Sequence, residues 1–177
     1  MSRVPSAISD AQLYALAEAV GHELRIAGRH VVTAESCTAG WIAKALTDVP
    51  GSSQWFHAGY VTYSNTAKIR DVGVSALTLA EHGAVSEQTV REMAEGALRV
   101  TDAQVAIAVS GIAGPDGGTA EKPVGTVWFG IATPEARGSA AICELQHFAG
   151  DRDQVRRQSV DYALRLVLRL LRADRGR

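Results

Sequence analysis

With 177 residues, 46% of them hydrophobic, the chain has enough apolar side chains for one full core, and no compositional break divides it into two domains. The sequence contains no apolar run of about eighteen residues and no charged-then-apolar leader, which argues against a membrane-spanning helix or a secretory signal and makes the cytoplasm the expected location. A net charge of −1 provides no global field to attract nucleic acid, and two cysteines with five histidines, none at i, i+4 spacing, lead to the expectation of no bound metal or cofactor.

Ser9 and Asp10 can cap a helix running to about Ala27, with Leu13, Leu16, Ala17, Val20 and Leu24 as its apolar stripe and Gly28 as its stop. Residues 30–35 read as a short buried strand. The spacing then predicts a helix over 38–48, which puts Ser36, Cys37 and Thr38 at its N-terminus, followed by a turn at 49–53. Trp55 to Ser64 reads as a strand, and Asn65 is the expected cap of a short helix from Thr66 to Val72. A second short helix covers 76–82, and Ser86 caps a long one over 87–100. Ala103 to Val109 is continuously apolar, as in a central strand buried on both faces. A glycine-rich loop fills 110–123. Val124 to Thr133 and Ala140 to Phe148 then form an antiparallel pair around a turn at 134–138. Asp151 begins the last helix, with Val155, Tyr162, Leu166 and Leu170 toward the core and Arg165, Arg169, Arg172 and Arg175 on a solvated face. The alternation of strands and helices predicts a three-layer α/β/α sandwich on a mixed, mostly parallel sheet.

The segment TAESCTAG, Thr33 to Gly40, brings three hydroxyls and a thiol to a strand-to-helix junction, where open α/β sheets bind ligands. Ser36 is there either as a helix cap or as a nucleophile whose oxyanion is held by backbone N–H groups. Cys37 competes for the second role or simply fills the turn. No histidine lies in a triad motif, so a base must come from lysine or tyrosine. Only three lysines occur, Lys44, Lys68 and Lys122. Lys68 follows Tyr63 in TYSNTAK, and a partly desolvated lysine can accept a proton near neutral pH; the alternative is an exposed helix lysine. Ser110, Gly111, Ala113 and Gly114 open a loop that follows a buried strand, as phosphate-binding loops do, yet matches neither common phosphate-loop pattern; it either binds an anion or is purely structural. Arg152, behind the expected cap Asp151, either faces a phosphate or pairs with its helix neighbours, Arg156 and Arg157 following close behind.

Taken together, TAESCTAGWIAKALTDVPGSS, GYVTYSNTAKIRDVGV, HGAVSE, SGIAGPDGGTAEKPVGTVWFG and FAGDRDQVRRQ resemble the C-terminal domain of the competence-damage-inducible CinA family in its stand-alone form, from about Ser9 to Leu171. That family includes nicotinamide-nucleotide amidohydrolases, the NMN deamidases of pyridine-nucleotide recycling. The resemblance implies an α/β/α fold, a small-molecule substrate (NMN), no second upstream activity, and Ser36 as nucleophile with Tyr63 and Lys68 as proton-transfer partners. Cys37 and Thr38 would then supply oxyanion donors, and Ser110, Gly111, Ala113, Gly114 and Arg152 substrate contacts. One position departs from the family's common ESCTGG: Ala39 stands where glycine is usual, harmless in a helical conformation and costly by about 1 kcal/mol if φ must be positive. A homodimer is the expected assembly, without membrane or nucleic-acid partners. The competing reading is a non-catalytic nucleotide-binding or protein-interaction module linked to competence or DNA damage.

Overall fold

The computed structural model describes residues 8–134 and 141–175. Among these residues six α-helices surround a five-stranded sheet: α1 (Asp10–Ala27), β1 (Val31–Glu35), α2 (Trp41–Thr47), β2 (Phe56–Val61), α3 (Asn65–Val72), α4 (Ala76–His82), α5 (Glu87–Arg99), β3 (Val105–Gly111), β4 (Thr126–Ala132), β5 (Ile142–His147) and α6 (Arg152–Arg175). Strand order is β2-β1-β3-β4-β5, with β1 parallel to β2 and β3, and the β3–β4 and β4–β5 pairs antiparallel. Four of the five strands therefore point the same way and β4 runs against them, which is the mixed, mostly parallel sheet the pattern predicts.

Period-two alternation divides the core. Val31, Val105, Ile107, Val109, Val127, Phe129 and Ile131 pack with α1, α2 and α6, whereas Val32, Ala34, Ala106, Ala108 and Ala132 pack with α3, α4 and α5. Alanines dominate the second face because α5 comes close: a Cβ on Gly130 would lie 2.5 Å from the Val90 carbonyl oxygen. Helix α5 also lies hard against α3, where a Cβ on Gly96 would fall 1.7 Å from the Val72 carbonyl oxygen.

The expected helix starts hold at Ser9, whose hydroxyl accepts from the Gln12 N–H in a reciprocal capping box, and at Ser86, which accepts from Thr89 N–H. At α3 the cap is Ser64 rather than Asn65, its hydroxyl accepting from Ala67 N–H. Asp151 caps α6 by accepting from Gln154 N–H. Val155 and Leu166 are buried, with Tyr162 and Leu170 packed at the core's margin. The arginine face of α6 is paired: Arg165 with Asp161, Arg169 with Glu144, and Arg172 and Arg175 with Glu23. From residue 135 onward, the expected 134–138 turn lies outside the described residues, as does Ala140. Among the described residues no helix is long and apolar enough to cross a membrane.

The Gly96–Val72 contact gives a stability prediction. Gly96→Ala, normally worth about 1 kcal/mol of favourable helix propensity, is expected to destabilise by about 1–3 kcal/mol because α3 must move. Urea denaturation measures it, and an unchanged midpoint would refute the close-packing account.

Candidate active site

Strands β1, β2 and β3 end at one edge, and the chain leaves β1 there through Ser36. The ladder continues past the strands: Ser36 N–H donates to Val109 O at 3.0 Å, and Thr62 N–H donates to Glu35 O at 2.8 Å. Ser36 thus lies between the segment after β2, which carries Thr62 and Tyr63, and the end of β3 at Ser110 and Gly111. Because β5 points the same way as β3, its exit also brings the N-terminus of α6 to this edge. This is the end of the sheet where α/β folds bind ligands.

The expected helix from residue 38 does not form. Ala39 (φ 51°) and Gly40 (φ 89°) are both left-handed, so 36–40 makes a tight turn, with Ala39 N–H donating to Ser36 O at 3.0 Å, and α2 begins only at Trp41. The first N–H groups of α2 are not open to a ligand. Glu35, fully buried, accepts from Ile42 N–H at 3.0 Å and Ala43 N–H at 2.8 Å, and from the Thr38 hydroxyl at 2.7 Å. Sequence reasoning passed over this carboxylate. Its signal was a glutamate on the same face as Val31 and Thr33, ending a strand otherwise wholly buried.

Lys68 reaches Ser36 from α3. Its Nζ lies 3.1 Å from Ser36 Oγ, 2.7 Å from Thr62 O and 3.3 Å from Tyr63 O. The side chain is 1% exposed, and among the described residues no carboxylate pairs with it. Burial draws its pKa from 10.5 down to about 8, because removal from water penalises the ammonium form. In the neutral amine, two protons satisfy the Thr62 and Tyr63 carbonyls and the lone pair is free to accept from the Ser36 hydroxyl. This geometry lets a neutral amine take the proton of a serine hydroxyl, the chemistry that activates a serine for attack.

The other candidates fall into place around it. Tyr63 meets Lys68 only through its carbonyl; its phenolic oxygen accepts from Arg152 at 3.1 Å, and Arg152 also donates to Gly114 O at 2.8 Å. Cys37 is buried, and desolvation pushes its thiol up to about 12, which keeps it protonated near neutral pH. Among the described residues the Thr38 N–H has no hydrogen-bond partner, as an oxyanion donor requires, while the Cys37 N–H faces the residue's own sulfur. Ser110 belongs to β3 rather than to the loop. Its buried hydroxyl donates to Ala84 O at 2.7 Å, which ties the turn before α5 to the sheet rather than facing the site. Gly111 likewise ends β3, leaving Ala113 and Gly114 in the loop proper, where Gly114 is left-handed (φ 82°) and has no room for a Cβ beside Val124. Lys122, the third lysine, staples this loop to the turn before α5 by donating to His82 O and Val85 O. Arg156 grips the Cys37 and Thr38 carbonyls, a contact the sequence gave no reason to expect. Among the described residues no group of three or more His, Cys, Asp or Glu could hold a metal ion.

With this geometry in hand, comparison with known proteins is decisive on ancestry. The model of the CinA C-terminal domain matches residues 13–171. The chain belongs to the CinA C-terminal domain family. It is 56% identical over 160 residues to the nicotinamide-nucleotide amidohydrolase PncC of Escherichia coli (strain K12), spanning 90% of this chain and 95% of that one. It is also 52% identical over 161 residues to a putative competence-damage inducible protein of Symbiobacterium thermophilum, covering 88% of this chain but 38% of that longer protein. The crystal structure of the competence/damage inducible protein CihA from Agrobacterium tumefaciens superposes with a TM-score of 0.84 at 41% identity, covering 96% of this chain and 99% of that one. The CinA fold is thus the three-layer α/β/α sandwich described above.

Two outcomes follow from the site's physics. Activity that depends on neutral Lys68 should rise with pH through an apparent pKa of about 8 in kcat/KM, since below it the amine is protonated and cannot accept a proton; a flat profile from pH 6 to 9.5 would remove Lys68 as the base. Ala39→Gly, which relieves a left-handed alanine, should stabilise by about 1 kcal/mol in urea denaturation, and no gain would mean that the turn tolerates alanine without strain.

Proposed function

We propose that this chain hydrolyses the carboxamide of nicotinamide mononucleotide to nicotinate mononucleotide and ammonia. One contact carries the reading: a fully buried lysine amine 3.1 Å from the hydroxyl of Ser36. The names of its relatives supply the substrate class.

In this mechanism neutral Lys68 takes the Ser36 proton as Oγ attacks the amide carbon. The carbonyl electron pair moves onto oxygen, and the N–H groups of Cys37 and Thr38 hold the resulting oxyanion. The tetrahedral intermediate collapses, the C–N bond breaks, and the Lys68 ammonium gives its proton to the departing nitrogen, releasing ammonia. Water, deprotonated by Lys68, then attacks the acyl ester, and Ser36 leaves with the proton. The phenol of Tyr63 is engaged by Arg152 rather than by Ser36, which favours Lys68 as the base. Tyr63 and Arg152, with the loop at Ala113 and Gly114, form the wall assigned to ribose and phosphate. In that loop the N–H groups of Ala113, Gly114, Asp116, Gly117 and Gly118 have no hydrogen-bond partner among the described residues, as suits an anion. The assembly proposed is a homodimer, the commonest closed arrangement.

Ammonia release tests the reaction. The protein is expected to turn over NMN well above nicotinamide, Ser36→Ala to lose activity by about 1,000-fold or more, and Cys37→Ala to stay within about threefold of the parent, as expected for a spectator thiol. Loss in Cys37→Ala with retention in Ser36→Ala would make the mechanism thiol-based. Equal turnover of free nicotinamide would refute phosphate recognition, and tight NMN binding without ammonia would favour a binding module.

A further inference from the structure

We infer that Arg156 is a positioning residue that builds the oxyanion hole by fixing the peptide between Cys37 and Thr38, an inference that rests on Ser36 being the nucleophile. The guanidinium donates from Nε to Cys37 O at 3.1 Å and from Nη2 to Thr38 O at 3.0 Å, so one planar fork holds two consecutive carbonyls. In a trans peptide the C=O and N–H point in opposite directions, so pinning a carbonyl aims the N–H of the same unit away from the pin. For the unit that ends in Thr38 O, that N–H belongs to Ala39 and is already spent on Ser36 O. For the unit that ends in Cys37 O, it belongs to Thr38, and it has no hydrogen-bond partner among the described residues.

The direction follows from the layers. Arg156 comes from α6, which packs with α1 and α2 on one face of the sheet, while Lys68 comes from α3 on the other. A carbonyl drawn toward α6 turns the Thr38 N–H away from it, toward the edge where Lys68 meets Ser36. A cation on the carbonyl also polarises the peptide and strengthens that N–H as a donor.

Two further observations separate this role from simple anchoring of α6. Arg157 already performs the anchoring: it stacks on Trp41 at 4.8 Å and pairs with Asp10 and Asp153. Arg156, half-buried and 5.3 Å from the same ring, has no carboxylate partner among the described residues and directs its hydrogen bonds to the two carbonyls of the turn. Glu35, the carboxylate that shares this turn, takes its hydrogen bonds from Ile42, Ala43 and Thr38 rather than from Arg156.

The experiment compares Arg156→Ala, Arg156→Lys and Arg157→Ala in NMN deamidation, with thermal unfolding of each. Arg156→Ala is expected to lower kcat by about 10- to 100-fold with KM within about twofold, somewhat less than the loss of a whole oxyanion donor. Added methylguanidinium is expected to restore part of that rate. Pyridine-3-boronic acid, which adds serine oxygen to give a tetrahedral anion, should lose affinity for Arg156→Ala in parallel with kcat. Arg157→Ala should keep the parental kcat. If Arg156→Ala does not fold, Arg156→Lys decides: a lower kcat at unchanged KM supports the role, and a parental kcat overturns it. A raised KM at unchanged kcat, an equal loss in Arg157→Ala, or unchanged boronate affinity would also overturn it. Turnover by Ser36→Ala would instead sink the nucleophile assignment; a dead Ser36→Ala beside fully active Arg156 variants sinks only this inference.

Discussion

The constraint on which the site depends is the burial of a lysine amine that, among the described residues, has no carboxylate partner. A buried ammonium without a counter-charge is costly, and the group answers by lowering its pKa until the neutral form is accessible near physiological pH. Everything that seals Lys68 from water therefore tunes it. The Thr62 and Tyr63 carbonyls take its protons, Ser64 caps the helix that carries it, and the tight seat of Gly96 against Val72 holds that helix onto α5. A carboxylate at this position would hold the amine charged and useless as a base. Its place is taken by neutral acceptors only.

The negative charge nearest the turn is kept elsewhere. Glu35 sits on the opposite face of β1 from the alanines that pack on α5, and its carboxylate is consumed by two N–H groups of α2 and by the Thr38 hydroxyl. That arrangement fixes the far end of the Ser36 turn while α2 begins. It also means that the helix terminus cannot double as the phosphate site, because a protein anion already fills it. Under the proposed function, substrate phosphate is left to the glycine loop and Arg152, so that one helix end organises the Ser36 turn and another segment reads the nucleotide.

Most of the architecture was legible in the residues, because period-two and helical spacing are burial patterns, and burial decides both layers. Ser36 and Lys68 stand out in the sequence as well, one from its strand-end position and one from the scarcity of lysine in an arginine-rich chain, and the fold brings their side chains together. The helix over 38–48 was misread because its first residues include an alanine at positive φ, a conformation that alanine's intrinsic preference opposes. Ser110 opens the glycine-rich stretch and so reads as loop, whereas β4 supplies Trp128 and Val127 as partners and extends the strand through Gly111. Glu35 and Arg156 could not be assigned from spacing at all. Their roles come from partners up to 119 positions away, which the fold brings near.

In the proposed mechanism, the choice of serine over the adjacent thiol follows from the same environment. Burial raises a thiol's pKa, and Cys37 at about 12 has almost no thiolate at neutral pH. A serine hydroxyl needs no prior ionisation if a base takes its proton during attack, so the burial that disables Cys37 costs Ser36 nothing. Amide hydrolysis adds a second demand, since nitrogen must be protonated before it can leave. A lysine titrating near 8 meets both, accepting a proton when neutral and returning it when charged, which a strongly basic surface lysine could not do. In the proposed mechanism, desolvation together with the 3.1 Å Lys68–Ser36 contact thus sorts the two candidate nucleophiles and equips one residue as both base and acid.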